Sequence, residues 1–182
     1  MIAESLRQPS LFLQAGNRTF VKERYSTETY YIDECAFGLG VFARRAIEPG
    51  ETILAFGGPV IDFAETKRRG RWECMPLQIG ANRYYDTQPP GIFVNHSCQP
   101  NAGIRQDRDL VALRPIQAGE EICFDYSTTM EEQSFTMNCG CGTLRCRRVI
   151  ADFSTLPREV QEEYLDNGIV MGFIARNALR QK

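Results

Sequence analysis

The stretch Phe93-Val94-Asn95-His96-Ser97-Cys98-Gln99-Pro100-Asn101 decides how this chain is read. An apolar pair gives way there to a polar, turn-forming run that holds the sole histidine of 182 residues and one of seven cysteines. A solitary histidine is more often a structural group than a catalytic one, and nothing in the run specifies a nucleophile with its base. No serine sits in an elbow-type motif, so a Ser-His-Asp hydrolase triad does not fit.

Working outward, Asn138-Cys139-Gly140-Cys141-Gly142-Thr143-Leu144-Arg145-Cys146 contains a C-x-C-x4-C spacing. Three thiolates in a glycine-bearing loop can fold around an ion and supply three corners of a tetrahedral zinc site. The fourth ligand comes from elsewhere, the candidates being Cys35, Cys74, Cys98, Cys123 and His96. Cys98 stands out because it lies in the turn-forming run, whereas Cys123 sits in a strand-like segment that suits a core thiol. Seven cysteines cannot all pair internally, and Met1-Ile2-Ala3-Glu4-Ser5 is not a basic segment leading into an apolar one. A soluble, non-secreted protein in a reducing compartment is expected, where cysteines more often bind metal.

Between these two motifs lies Gly119-Glu120-Glu121-Ile122-Cys123-Phe124-Asp125-Tyr126. Read as a strand, it places Ile122, Phe124 and Tyr126 on one face and Cys123 and Asp125 on the other, so that two aromatics line one wall. From Glu120 to Glu132 there are five acidic residues and no basic one, a composition that suits a cleft receiving a basic peptide, although a solvated edge is the commoner use of such a run. Upstream, Gly38-Leu39-Gly40 is followed by a strand-like segment and not a helix, which removes a dinucleotide-binding reading. Apolar segments broken at Pro49-Gly50 and Gly57-Gly58-Pro59 make residues 38 to 61 β. The charged residues 62 to 73 suit a short surface helix or insert.

At an offset of 69, residues 40 to 53 repeat in residues 109 to 122 with six identities: Ala43/Ala112, Arg45/Arg114, Ile47/Ile116, Gly50/Gly119, Glu51/Glu120 and Ile53/Ile122. Two copies are too few for a solenoid, so they read as two similar β units of one domain, unless the likeness is that of any two hairpins. The first 32 residues show no sustained helical period and read as short strands or irregular structure. After Asp152, Pro157 and Asn167-Gly168 bracket one helix, and Val170, Phe173, Ile174 and Ala178 mark the stripe of a second. Length allows one compact domain with a short appendage. A net charge of −2 and a pI near 5.6 argue against direct nucleic-acid binding, which depends on neutralising many phosphates. With 43% hydrophobic residues and no run of about 18 apolar ones, a globular chain without a membrane span is expected.

Together these segments resemble the SET domain of protein-lysine methyltransferases, in family order: Gly38-Leu39-Gly40-Val41-Phe42-Ala43, then Phe93 to Asn101, then Gly119 to Tyr126, with the cysteine triplet resembling the post-SET zinc motif. No N-terminal cysteine cluster matches a pre-SET module. The resemblance implies a mainly β fold of small curled sheets with a knot-like C-terminal threading near Asn95 to Asn101. It divides the chain into an N-terminal flank (1–27), a SET domain (28–134, with an insert at 62–80), a post-SET zinc loop (135–150) and a C-terminal helical extension (151–182).

By the same resemblance, S-adenosylmethionine lies against Gly38, Leu39 and Gly40, with Phe93, Asn95, His96 and Tyr126 completing its pocket. Cys98, Cys139, Cys141 and Cys146 hold zinc. Tyr126 is the catalytic residue, orienting a lysine amine by its hydroxyl. Phe56, Tyr85 and Phe124 line the substrate channel, where burial favours the neutral amine that can attack. Phe124 stands where a Tyr would restrict transfer to one round, and so implies room for di- or trimethylation. The chain departs from the family pattern at Phe56 (often Tyr), Ile92 (commonly Arg) and Leu39 (frequently Trp), with Tyr84 or, preferably, Tyr85 supplying channel polarity.

The substrate implied is a lysine in a basic protein or peptide, histone tails among them. The setting is intracellular: nuclear in a eukaryote, cytoplasmic in a bacterium. Oligomeric state is open. Two other readings fit fewer residues. An inert SET-like interaction module has no use for a channel tyrosine, and a thiol oxidoreductase lacks a C-x-x-C in a βαβ setting.

Overall fold

The computed structural model of the chain describes residues 15–70 and 73–180. Strand-forming residues here come in short runs cut by glycine and proline, and short runs make small sheets. β1 (Tyr30–Cys35) and β2 (Gly38–Ala43) form an antiparallel hairpin. β3 (Thr52–Ala55), β8 (Ala102–Arg105) and β9 (Asp109–Ala112) form a three-stranded antiparallel sheet in the order β3-β9-β8. A second three-stranded sheet joins β4 (Val60–Ile61), β6 (Arg83–Tyr85) and β5 (Leu77–Gly80). β7 (Asn95–His96) pairs in parallel with β10 (Cys123–Phe124), and β11 (Met137–Asn138) pairs antiparallel with β12 (Val149–Ile150). One apolar core runs through the larger sheets, with Ile32, Leu39, Phe56, Phe93, Leu110 and Ile122 buried in it. The architecture is therefore mainly small sheets, as expected.

The repeat at offset 69 is structural. Ile47 and Ile116 face each other and exchange both backbone hydrogen bonds, at 2.9 and 3.0 Å. Gly50 and Gly119 each turn the chain at φ +84°, a left-handed conformation that favours glycine. The Gly50 N–H donates to Ala112 O and the Gly119 N–H to Ala43 O, both at 2.8 Å. Arg45 pairs with Glu51, and Arg114 with Glu120. Two like units thus meet back to back, and the second delivers β10 to β7.

The N-terminal flank corrects the sequence reading. Residues 1–14 lie outside the described residues, but α1 (Ala15–Tyr25) is a helix and not irregular structure. Its apolar face is little more than Val21, 2% exposed, while Phe20 is 55% exposed, so no stripe announced it. It is held by tertiary contacts, as short helices generally are: Lys22 pairs with Asp33 at 2.6 Å and Arg18 with Glu34 at 3.3 Å. α2 (Phe63–Arg68) occupies the charged stretch, capped by the Asp62 carboxylate accepting from Glu65 N at 2.8 Å. Lys67, Arg68 and Arg69 pair with Glu73, Glu65 and Asp86, and Arg71 lies outside the described residues.

The tail follows its signals. α3 (Arg158–Asp166) starts after Pro157 and ends at Asn167-Gly168, with Gly168 at φ +65°, and α4 (Gly172–Arg180) buries Ile174. Ile169, between them, docks on β8: a Cβ on Gly103 would lie 2.5 Å from Ile169 Cγ2. Gly103→Ala is accordingly expected to lower stability by about 1–3 kcal/mol through overpacking. Thermal melts of Gly103→Ala, of Ile169→Ala, which removes Cγ2, and of the double variant test this, the double variant losing less than the sum of the two single losses; an unchanged melting point for Gly103→Ala alone would refute the close docking.

Candidate active site and metal centre

β7 and β10 meet at the floor of an open cleft, which Asn95, His96 and Phe124 line. Pairing Phe124 with His96 and Cys123 with Asn95 in parallel register brings two sequence-distant motifs edge to edge. The Asn101 side chain fixes that junction: its Oδ1 accepts from Cys123 N at 2.9 Å and its Nδ2 donates to Glu121 O at 2.7 Å. β10 stops at Phe124, and the chain enters a 3-10 turn at Tyr126–Thr129. The expected strand face therefore ends early, but its purpose survives: Phe124 and Tyr126 rings lie 4.9 Å apart and both line the cleft. Phe56, just after β3, meets Phe124 edge-on at 5.5 Å and forms the facing wall.

The Tyr126 hydroxyl donates to Val94 O at 2.9 Å. That leaves the phenol oxygen as an acceptor in the cleft, and burial raises its pKa so that it stays a phenol. Asn95 Nδ2 donates to Glu121 Oε1 at 2.8 Å, Leu39 O at 3.1 Å and Cys35 Sγ at 3.2 Å, which leaves Oδ1 as the atom able to accept from a ligand amine. Burial lowers the His96 pKa to about 4, against the opposing charge of Asp125. The neutral ring accepts from Tyr126 N at Nδ1, 3.2 Å away, so its proton sits on Nε2, facing Cys98 Sγ at 3.2 Å.

Cys98 Sγ lies 3.6 Å from Cys139 Sγ, and Cys139 Sγ 3.7 Å from Cys146 Sγ. Ligands at about 2.3 Å from a tetrahedral zinc stand about 3.8 Å apart, so these separations fit the edges of a zinc tetrahedron. Cys141 joins Cys98, Cys139 and His96 in a group whose donor atoms all lie within 4.8 Å of one another, and Cys146 reaches that group through Cys139. The group that could hold a metal ion thus contains three of the four expected cysteines together with His96, whose Nε2 faces Cys98 Sγ. The group is already polarised: burial pushes the Cys139 thiol up, while at Cys141 burial is outweighed by hydrogen bonds involving Thr143 and Cys139 and the pKa falls to about 6.

Residues 38–127 match the family model of the SET domain. The chain is a SET-domain protein. It is 32% identical over 129 residues to human Histone-lysine N-methyltransferase 2B, across 62% of this chain and 5% of that protein. With Histone-lysine N-methyltransferase trithorax of Drosophila virilis it shares 30% identity over 146 residues, 71% of this chain and 4% of the relative. Histone-lysine N-methyltransferase ASHH3 of Arabidopsis thaliana is 26% identical over 167 residues, 82% of this chain and 45% of the relative. The chain thus spans only a small part of the first two relatives and less than half of the third. Its cysteine group is compatible with a post-SET zinc motif.

Within the SET domain the expected site residues separate. Asn95, His96, Phe124, Phe56 and Tyr126 line the cleft. Leu39 and Phe93 are completely buried and do not line the cleft, and the Leu39 carbonyl accepts from Asn95. Gly40 leaves room that is taken by the protein itself: a Cβ there would lie 2.6 Å from Glu121 Oε1 and 3.3 Å from Asn95 Nδ2. Phe37, next to Gly38, is the residue of that segment that faces the cleft. Tyr84 and not Tyr85 faces it too: neighbours on β6 point to opposite faces, and Tyr84 turns its hydroxyl to Glu132 Oε2 at 2.6 Å.

The acidic run is mostly spent within the fold. Glu120 pairs with Arg114, Glu121 holds Asn95, Asp125 holds Arg147 and Glu131 accepts from Ser154 N, leaving Glu132 as the member that lines the cleft. Burial, then the charges of Asp152 and Glu73, hold the Glu132 carboxyl above its usual 4.5 against the Tyr84 hydrogen bond. A folded pKa raised above the unfolded one gives stability present in acid and lost as pH rises through the folded value. Glu132→Gln is therefore expected to melt higher than the wild type at pH 7.5 and level with it near pH 4; melts that differ equally at both would contradict this.

Proposed function

We propose that this chain is a protein-lysine N-methyltransferase that uses S-adenosylmethionine to methylate a lysine side chain of a basic protein, histones included. The observation that carries the reading is the Tyr126 oxygen, held by Val94 O in a cleft that Phe56, Phe124, Asn95 and His96 also line. The cofactor, when bound, supplies a methyl group activated by a sulfonium. Asn95 Oδ1 and the backbone around His96 would bind it, with Phe37, which lines the same cleft, as an apolar wall. A lysine ammonium with pKa about 10.4 must lose its proton before its nitrogen can attack. The aromatic walls exclude water and disfavour the charged form, while the Tyr126 oxygen accepts an amine N–H and aims the lone pair. Cys98, Cys139, Cys141 and Cys146 would hold a structural zinc ion. The relatives' names and the SET domain support an intracellular setting, nuclear in a eukaryotic source and cytoplasmic in a bacterial one.

Phe124 offers no hydroxyl to hold a water against the amine, which supports transfer of two or three methyl groups. Mass spectrometry of lysine peptides incubated with the protein and S-adenosylmethionine is expected to show multiply methylated product for the wild type and monomethyl product for Phe124→Tyr. Monomethyl product from both would remove the multiplicity reading; no product, with zinc but no cofactor in the native mass spectrum, would make the chain an inert interaction module.

A further inference from the structure

The C-terminal extension places a hydroxyl on the residue next to the candidate catalytic tyrosine. Asp125 is 1% exposed and its carboxylate accepts at every lone-pair direction: Arg147 Nη2 at 2.8 Å and Ser127 N at 3.1 Å on Oδ1, Arg147 Nη1 at 2.7 Å and Tyr164 Oη at 3.0 Å on Oδ2. Three separate parts of the chain converge on this one group. Ser127 belongs to the turn that Tyr126 opens, and Asp125 caps that turn. Arg147 follows Cys146, and its N–H donates to Cys98 Sγ at 3.4 Å, tying it to the thiol group. Tyr164, 4% exposed, comes from α3, outside the matched SET segment.

We infer that Tyr164 is a positioning residue for the active site: its hydroxyl fixes the rotamer of Asp125, and Asp125 in turn sets the direction of Tyr126 and the seat of the cysteine loop. A carboxylate rotates about its side-chain bonds unless both oxygens are held. Arg147 grips both oxygens from the cysteine loop, Ser127 adds a second donor to Oδ1 from the turn itself, and Tyr164 is the second donor on Oδ2. The α3 hydroxyl is the contact that anchors the assembly to a rigid element. On this view α3 is part of the site and not merely cover for the core, and Tyr164→Phe, which keeps the ring packing, removes that anchoring and little else.

The inference rests on the proposed methyltransferase reading for its kinetic consequence, and its test is arranged to separate the two. Tyr164→Phe is compared with Ile174→Val, a packing change on α4 that removes no donor to Asp125, by amide hydrogen exchange well below both melting points. Positioning by Tyr164 requires exchange about tenfold faster over residues 124–130 and 145–148 in Tyr164→Phe alone, the scale of one hydrogen bond to a charged group. Equal protection of those segments in both variants overturns it. In turnover, kcat is expected to fall about tenfold with KM unchanged. If wild type transfers no methyl group, the methyltransferase reading fails by itself, and the exchange comparison still decides the role of Tyr164.

Discussion

Tyr126→Phe is expected to lower kcat for methyl transfer by about 10²- to 10³-fold, the effect of removing one preorganised polar contact at a reacting centre, while cofactor affinity stays within about twofold. The change removes one oxygen and leaves the ring, so the 4.9 Å contact with Phe124 and the 5.3 Å contact with His96 persist. What disappears is the acceptor that Val94 O holds in place at 2.9 Å. Without it an incoming amine keeps its aromatic walls but has one fewer group to hold its N–H, and the lone pair is no longer aimed. The loss belongs in kcat because alignment matters in the transition state and hardly at all in the bound ground state. Single-turnover rates with saturating cofactor, set beside calorimetric cofactor affinity, measure the two quantities separately. A variant that keeps its rate would remove Tyr126 from the chemistry, and one that loses cofactor binding in proportion would make it a binding residue only.

Legibility in the sequence followed the range of the interaction. Asn95, His96, Cys98 and the cysteine triplet could be picked out because a short polar turn and a C-x-C-x4-C spacing are local signals, and the structure brings Asn95, His96, Cys139 and Cys141 to the cleft with Cys98 beside them. The repeat was visible because Gly50 and Gly119 obey the same backbone demand. The helix α1 was not, since Val21 and Tyr25, its described residues packed on the core, make no sustained period, and its ion pairs to Asp33 and Glu34 reach across to β1. Tyr84 and Tyr85 could not be separated in advance, because strand register chooses which of two adjacent rings faces inward. Glu120, Glu121 and Asp125 read as an acidic edge because each partner, Arg114, Asn95 or Arg147, is 6, 26 or 22 positions away, and no local pattern links them.

Those distant partners also fix where the fold is most vulnerable. Arg147→Ala is expected to destabilise the protein by about 3–5 kcal/mol, the cost of leaving a buried charge without its partner, against a total of about 5–15 kcal/mol for a native domain. The Asp125 side chain is fully buried and the Arg147 side chain 16% exposed, so water cannot replace the guanidinium; Tyr164 and Ser127 would remain as the only donors to an uncompensated carboxylate. Removing both charges should cost far less than removing one, because much of the penalty is the stranded charge and not the lost attraction. Urea unfolding of Arg147→Met, Asp125→Asn and the double variant closes the cycle. A coupling that makes the double variant more stable than Arg147→Met identifies the stranded Asp125 charge as the source of the loss. Additive penalties would mean instead that Arg147 stabilises the cysteine loop by packing its stem, and that Asp125 is held well enough by hydroxyl and amide donors alone.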